Sequence, residues 1–356
     1  MKIGICFGGY CPLHRGHLDV IMRAKKENDK VFVVVCGYND EPRSKEIGLD
    51  HDKRYKLIKN HFMKDEIIEV IKVNDDDLGI DQSCSLDNWK IWTDCVMEMV
   101  MAFYGDDVKF YVAESSYAEA LIKLDYDVAL MSKRTPVSGT MIRSNPTKYF
   151  SYITKEFQPY FVKNILVIGT ASEGKTTLVK DIADYFNIPY TVEFGRKYME
   201  ISDMRDEELE YLEFSRFLSG QYNEYEIAVN KAATGITIQD TDNLVTCMYA
   251  KAYSTDPHMK VSIDDYKYIN IGAKNYAPLF KWDHIFILTP GNENFVDDGS
   301  RYMGQSSMEE RKKNMAILEE LIDEFGYDRN KITYLDGGDY KNNFYTVKEY
   351  IENLTK

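Results

Sequence analysis

A chain of 356 residues, 44% hydrophobic and 29% charged, has the length for two domains and the composition of ordinary globular protein. Its formal charge of −14, from 58 acidic against 44 basic residues, argues against sequence-blind nucleic-acid binding, which needs clustered Lys and Arg to neutralise phosphates. The longest apolar run, VFVVVC at 31–36, is far short of the roughly 20 residues that cross a bilayer, and MKIGICF at the N-terminus lacks the charged start and long apolar stretch of a signal peptide.

In chain order, KIGICF, VFVVVCG, EIIEVIKV, VKFYVA and YDVALM read as strands over the first 145 residues or so. Residues 17–28, 51–62 and 88–104 carry apolar positions at helical spacing. Strand and helix in alternation predict a parallel sheet wrapped by helices. The aromatic segment 144–163, with two prolines, reads as a packed connection. NILVIGT then opens a second series, with later strands at GITIQD, HIFIL and KITYL and a long helical tract at 206–233. Six cysteines (6, 11, 36, 84, 95 and 247) form no C-x-x-C pair, which suits reduced thiols in a cytoplasmic protein. The acidic run Asp75-Asp76-Asp77 reads as solvated loop.

The first strand runs into FGGYCPLHRGH, which holds two of the six histidines three residues apart. Gly8 and Gly9 allow a phosphate to approach the backbone, and Gly16 lets the turn from His14 to His17 close tightly. A helix beginning near His17 offers N–H groups to an anion, and two imidazoles there can donate to a triphosphate. Zinc is the rival, but no third ligand stands in metal spacing. His14-Arg15-Gly16-His17 resembles the H-x-G-H signature of the nucleotidyltransferase superfamily. VSGTMIR at 137–143 resembles that superfamily's S-x-T-x-x-R, with Ser138, Thr140 and Arg143 matching. Ser138 is a good N-cap, and an arginine one turn into a helix can clamp phosphates. The resemblance implies attack of a nucleotide phosphate on the α-phosphorus of ATP, with Phe7, Gly8, Gly9, His14, His17, Ser138, Thr140 and Arg143 around the ATP. Arg134, just ahead of the motif, is a further phosphate candidate.

Trp89 and Trp92 share one helical face, which suits either core packing or stacking on a pyridinium. Asn88, Trp89 and Trp92 are similar to the N-G-W-x-x-W segment of NadR-type nicotinamide mononucleotide (NMN) adenylyltransferases, without its glycine. That similarity implies an NMN site.

Gly169, Gly174, Lys175 and Thr176 spell G-x-x-x-x-G-K-T between a strand and a helix, the setting of a P-loop. Backbone N–H groups of 169–177, including Ser172, Glu173 and Thr177, would cradle phosphates, Lys175 would reach the β- and γ-phosphates, and Thr176 would ligate Mg²⁺. Asp240, at the end of a strand, suits Mg²⁺, and Asp242 a substrate hydroxyl. Glu193 can accept a hydroxyl proton and Arg196 can stabilise a moving phosphoryl group. FVDDGSRYMGQSSMEERKK reads as a lid whose Arg301 and Arg311 close over phosphates. In this order EFGR, DTD and FVDDGSR resemble the ribosylnicotinamide kinase half of the bifunctional NadR family, with Phe295 in place of a tryptophan. The resemblance covers nearly the whole chain, and implies Glu193, Arg196, Asp242 and Phe295 at the riboside.

The expectation is an α/β protein with a Rossmann-like nucleotidyltransferase domain at 1–150, a connector at 151–163 and a P-loop kinase domain at 164–356. It would convert nicotinamide riboside to NMN and NMN to NAD, using ATP and Mg²⁺, with His14, His17, Arg143, Lys175, Glu193 and Asp240 catalytic. Some NadR proteins carry an N-terminal helix-turn-helix, and none is expected here because the sequence starts at its first strand. Small molecules are the expected partners, with no nucleic acid and no membrane, and a homo-oligomer is left open. Two alternatives stay open: a fusion similar to coenzyme A synthase, and a pyridine-nucleotide sensor that turns over weakly.

Overall fold

The computed structural model describes residues 1–81, 83, 85–104, 107–132, 134–291 and 302–356. They form two compact units, Met1–Phe161 and Val162–Lys356. The division leaves the aromatic segment 150–161 in the first unit, where Phe150, Ile153, Phe157 and Phe161 are buried.

In the first unit the order is β1 (Lys2–Gly8), α1 (Arg15–Glu27), β2 (Lys30–Gly37), α2 (Pro42–Lys45), α3 (His51–His61), β3 (Ile68–Asn74) and α4 (Leu86–Tyr104). β4 (Asp107–Val112), α5 (Ser115–Lys123), β5 (Asp127–Leu130), α6 (Gly139–Ser144) and α7 (Pro146–Tyr149) complete it. The sheet runs β3-β2-β1-β4-β5 with every pairing parallel. Strands covered on both faces read as continuous apolar runs, and Val31 to Val35 are all buried. Ile3, Ile5, Phe32, Val34, Trp92 and Val96 share one core, so α4 is held against the sheet by its tryptophan face. Strand order reverses between β1 and β4. A crevice opens there beyond the strand ends, where sheets of this kind bind ligands.

The second unit holds β6 (Lys163–Gly169), α8 (Lys175–Phe186), β7 (Tyr190–Thr191), α9 (Phe194–Ser202), α10 (Tyr211–Lys231), β8 (Ile236–Asp240) and α11 (Asn243–Tyr253). It ends with α12 (Ile263–Tyr276), β9 (His284–Thr289), α13 (Met308–Glu324), β10 (Ile332–Asp336) and α14 (Tyr340–Leu354). Its sheet runs β10-β9-β6-β8-β7, again wholly parallel. Ile165 and Val167 of β6 pack with Leu178 and Ile182 of α8, so the P-loop between them is anchored at both ends. The helical tract expected at 206–233 is a short 3₁₀ turn followed by α10. Arg205 and Glu208 cap the turn, and Glu210 and Glu213 form the capping box that starts the helix proper. Among the described residues no helix is long and apolar enough to cross a membrane.

Candidate active sites

The loop after β1 turns through a cis Cys11–Pro12 bond into α1, whose N-cap is His14. Because the helix starts at once, His17 falls one turn on. The imidazoles of His14 and His17 stack, with ring centroids 3.7 Å apart and planes at 25°. The Tyr10 ring meets His17 edge-on at 4.9 Å. Gly16 serves this arrangement by its lack of a side chain, since a Cβ there would stand 3.1 Å from the His14 ring and 3.3 Å from the Val137 carbonyl. The 150–161 segment braces the loop from behind: His14 bridges Ile153, and the Thr154 N–H donates to the Leu13 carbonyl at 3.2 Å. Among the described residues no cluster of three or more His, Cys, Asp or Glu is arranged to hold a metal, the two histidines included.

The second motif arrives from the far end of the unit. Ser138 caps α6 by accepting from the Met141 N–H at 3.2 Å, as its residue type predicts. Arg143 donates from Nη1 to the Cys11 carbonyl at 2.5 Å and from Nη2 to Thr140 Oγ1 at 3.2 Å. The arginine of one motif is thereby set on the histidine loop of the other. Phe7, Gly8, Gly9, His14, His17 and Ser138 line a cavity at the crevice. Arg134, the further phosphate candidate, is exposed and stands outside that lining, as Thr140 and Arg143 do.

Phe7, Gly8, Gly9 and Tyr117 also line an adjoining pocket, which contains Asn88, Trp89 and Trp92. The two tryptophans divide the roles that their spacing left open. Trp92 is buried in the core, 4.7 Å from the Phe7 ring. Trp89 is half-buried and held edge-on by Phe7 at 5.6 Å, with Tyr117 tilted against it at 5.3 Å. The Asn88 amide is engaged locally, donating to Asp81 Oδ1 at 2.5 Å and to the Ser83 carbonyl at 3.0 Å, so it fixes the loop ahead of α4 as well as lining the pocket.

Sequence reasoning passed over two features here. Arg54 is wholly buried and pairs with Glu41 at 2.5 Å beside Gly37, where a Cβ would collide with the guanidinium at 2.5 Å. The guanidinium also opposes the rise that burial imposes on the Cys11 thiol, which places it behind the histidine loop. The signal was available: Arg54 shares an i,i+4 stripe with the buried Ile58. The other feature is Asp75, read as solvated loop and in fact half-buried in the tryptophan pocket.

In the second unit β6 ends at Gly169, whose φ of 147° and a Cβ position 2.4 Å from the Leu288 carbonyl leave room for glycine alone. Ser172 and Gly174 are left-handed, and α8 begins at Lys175. The largely buried Lys175 donates to the Thr170 carbonyl at 2.6 Å, and Thr177 lies exposed on the first turn. Thr176 Oγ1 donates to Asp240 Oδ2 at 2.5 Å, joining the P-loop to the end of β8. Burial pushes the Asp240 carboxyl up, Lys175 opposes this, and Glu193 adds to it. Lys175, Glu193 and Arg196 line one cavity, with Glu193 and Arg196 3.9 Å apart. Asp206, Phe214, Tyr249 and Tyr253 line the same cavity, and the sequence singled out none of them. Burial pushes Asp206 up to about 6, opposed by bonds from the Tyr302 N–H and the Tyr253 hydroxyl.

Two expected ligands stand elsewhere. Asp242 is fully buried and accepts from Leu244 N–H at 3.0 Å, Trp282 Nε1 at 3.2 Å and Tyr327 Oη at 2.7 Å. It caps α11 and faces the core, not a riboside, and burial pushes it up to about 6. Arg311 is not an open lid arginine: it is buried and paired with Glu173 at 2.8 Å. Glu173 Oε2 also accepts from the Gly291 N–H at 3.1 Å, so this carboxylate turns away from the phosphate cradle and ties the P-loop to β9 and α13. Phe295 and Arg301 lie outside the described residues.

The folds and sites define a Rossmann-like nucleotidyltransferase unit followed by a P-loop kinase unit. A cytidylyltransferase-like family model matches residues 5–145, and an AAA-domain model matches residues 164–340. A crystal structure of NadR protein in complex with NR is 30% identical, with a TM-score of 0.84 over 99% of this chain and 96% of that one. A second, of NadR protein in complex with NAD and AMP-PNP, is 29% identical with a TM-score of 0.81, over 99% of this chain and 96% of that one. The trifunctional NAD biosynthesis/regulator protein NadR of Escherichia coli (strain K12) is 27% identical over 99% of this chain and 83% of its own length, as is that of Salmonella typhimurium (strain LT2). The chain belongs to the NadR family.

Proposed function

We propose that this chain makes NAD in two ATP-dependent steps: its second unit phosphorylates nicotinamide riboside to NMN, and its first unit transfers the adenylyl group of ATP to NMN. The observation that carries this reading is the pair of contiguous pockets in the first unit. A histidine- and glycine-lined cavity for a triphosphate shares Phe7, Gly8, Gly9 and Tyr117 with an aromatic pocket for a flat cationic ring. The acceptor phosphate is thereby delivered beside the α-phosphorus, and most of the acceleration comes from position and charge stabilisation. His14 and His17 present N–H donors to the triphosphate from the N-cap and the first turn of α1. Arg143 swings from Thr140 and the Cys11 carbonyl to the departing pyrophosphate.

In the second unit Lys175 meets the β- and γ-phosphates, Glu193 takes the proton of the attacking ribose hydroxyl, and Arg196 offsets charge on the moving phosphoryl group. Thr176 and Asp240 are a hydroxyl and a carboxylate 2.5 Å apart beside Lys175, which is the oxygen-donor chemistry Mg²⁺ takes together with phosphate oxygens. When bound, the ion would neutralise charge on the β- and γ-phosphates. Against a coenzyme A-forming fusion stands the acidic and aromatic lining of the acceptor pockets, which suits a pyridinium.

The test is incubation with ATP, Mg²⁺ and nicotinamide riboside, with products resolved by chromatography. NMN should appear first and NAD follow. Absence of both, with nucleotide still bound, would favour the sensor reading.

A further inference from the structure

Resting on the NMN reading of the aromatic pocket, we propose that Asp75 is the residue that makes the first unit choose the carboxamide over the carboxylate form of the pyridine mononucleotide. Asp75 follows β3, and its backbone is fixed on both sides. Its N–H donates to the Gly37 carbonyl at 2.9 Å, and its carbonyl accepts from Leu78 and Ile80 at 3.2 and 3.0 Å. Asp75 lines the same pocket as Trp89, Trp92 and Tyr117. It stands close enough to the Cys36 thiol, which bonds Trp92, for its charge to raise that thiol. The carboxylate therefore sits beside the aromatic wall, not in bulk water.

No described residue gives this carboxylate a cation. The charges that act on it are those of Asp76 and Glu41, both acidic, and with burial they push it up to about 6. No lysine, arginine or histidine lines the pocket among the described residues. The other lining acid, Asp81, is exposed and already accepts from Ser83 and Asn88. Asp75 is thus the acid with bonding capacity left for a ligand.

The two candidate substrates differ only at one substituent. Nicotinamide offers two N–H donors on a neutral group attached to a cationic ring, and Asp75 can accept from one of them while attracting the ring charge. Nicotinate offers a carboxylate, which proteins bind with arginine, lysine or backbone N–H groups. Against Asp75 it meets like charge in a half-buried setting, where repulsion is several-fold stronger than in water. A polar group that must go unpaired for the wrong substrate is what makes discrimination by hydrogen bonding large.

The experiment compares kcat/KM for NMN and nicotinic acid mononucleotide, with ATP, in the full-length wild type and in Asp75→Asn and Asp75→Glu. The wild type should favour NMN at least 100-fold. In Asp75→Asn that ratio should fall at least tenfold, partly by gain of activity with the acid, because the amide can donate to a carboxylate. Asp75→Glu keeps the charge and should keep the preference. An unchanged ratio in an Asp75→Asn protein with normal KM for ATP would overturn the proposal. So would equal affinity of the wild type for both mononucleotides in a tryptophan-fluorescence titration, a measurement that does not depend on any variant folding. Failure of the wild type to turn over either mononucleotide would instead remove the NMN reading, and the proposal with it.

Discussion

Replacing Arg311 with methionine separates two roles for this residue, since the sequence suggests a phosphate clamp and the structure shows a buried strut. Arg311 and Glu173 are 2.8 Å apart, with side chains 2% and 0% exposed. Removing the cation leaves the Glu173 carboxylate buried without its ion-pair partner, while the Thr170 hydroxyl and the Gly291 N–H still donate to it. Breaking a buried pair on one side costs about 3–5 kcal/mol, because the surviving charge has lost its solvent and its partner. For a unit of this size each kcal/mol moves the midpoint by roughly 2–4 °C, so the second unit should melt roughly 6–20 °C lower. The double variant Glu173→Gln, Arg311→Met should recover most of that loss, because neutral replacement of a whole buried pair is often close to neutral. The assay is scanning calorimetry beside both activities at a temperature where every variant is folded. The second transition should drop in the single variant and return in the double, while NAD formation from supplied NMN is unchanged. A normal melt with a raised KM for ATP in riboside phosphorylation would refute the strut and restore the clamp.

The two activities should be separable: His17→Ala should abolish NAD formation and spare riboside phosphorylation, and Lys175→Ala should do the reverse, with product chromatography scoring both. Trp89→Ala should raise KM for NMN up to about thirtyfold, from ~2 kcal/mol of lost cation–π contact, with a much smaller change in KM for ATP. A lower melting point with both constants unmoved would make Trp89 packing only. Asp242 is held up to about 6 in the fold, above its ordinary carboxylate range, so the folded state keeps this proton while the unfolded chain gives it up. Its contribution is full below about pH 4 and is lost as pH rises through about 6; Asp242→Asn should flatten that part of the second unit's stability–pH profile in urea titrations.

Much was legible from residue order alone, for local reasons. A G-x-x-x-x-G-K-T run and an H-x-G-H run are contiguous, and their geometry follows from a strand, a turn and the first turn of a helix. The continuous apolar run at 31–35, four valines and a phenylalanine, reads as a strand covered on both faces. Ser138 caps α6 because its hydroxyl is one residue ahead of the helix, a fact of spacing. What the sequence left undecided was in each case a choice among partners distant in the chain. Asp240 and Asp242 are two residues apart and chemically identical. Their strand ends and turns, so one carboxylate meets Thr176 and the other meets Trp282 and Tyr327. Trp89 and Trp92 share a helical face, and the depth at which α4 packs on β1 decides which ring is core and which is wall. Arg311 could have closed over phosphates or propped the P-loop from behind, and only the approach of α13 to Glu173 selects the second. A side chain's type sets what it can bond, whereas its role is set by which solvent or partner the tertiary packing leaves within reach, and for Asp75, Arg54 and Arg311 that information is nonlocal.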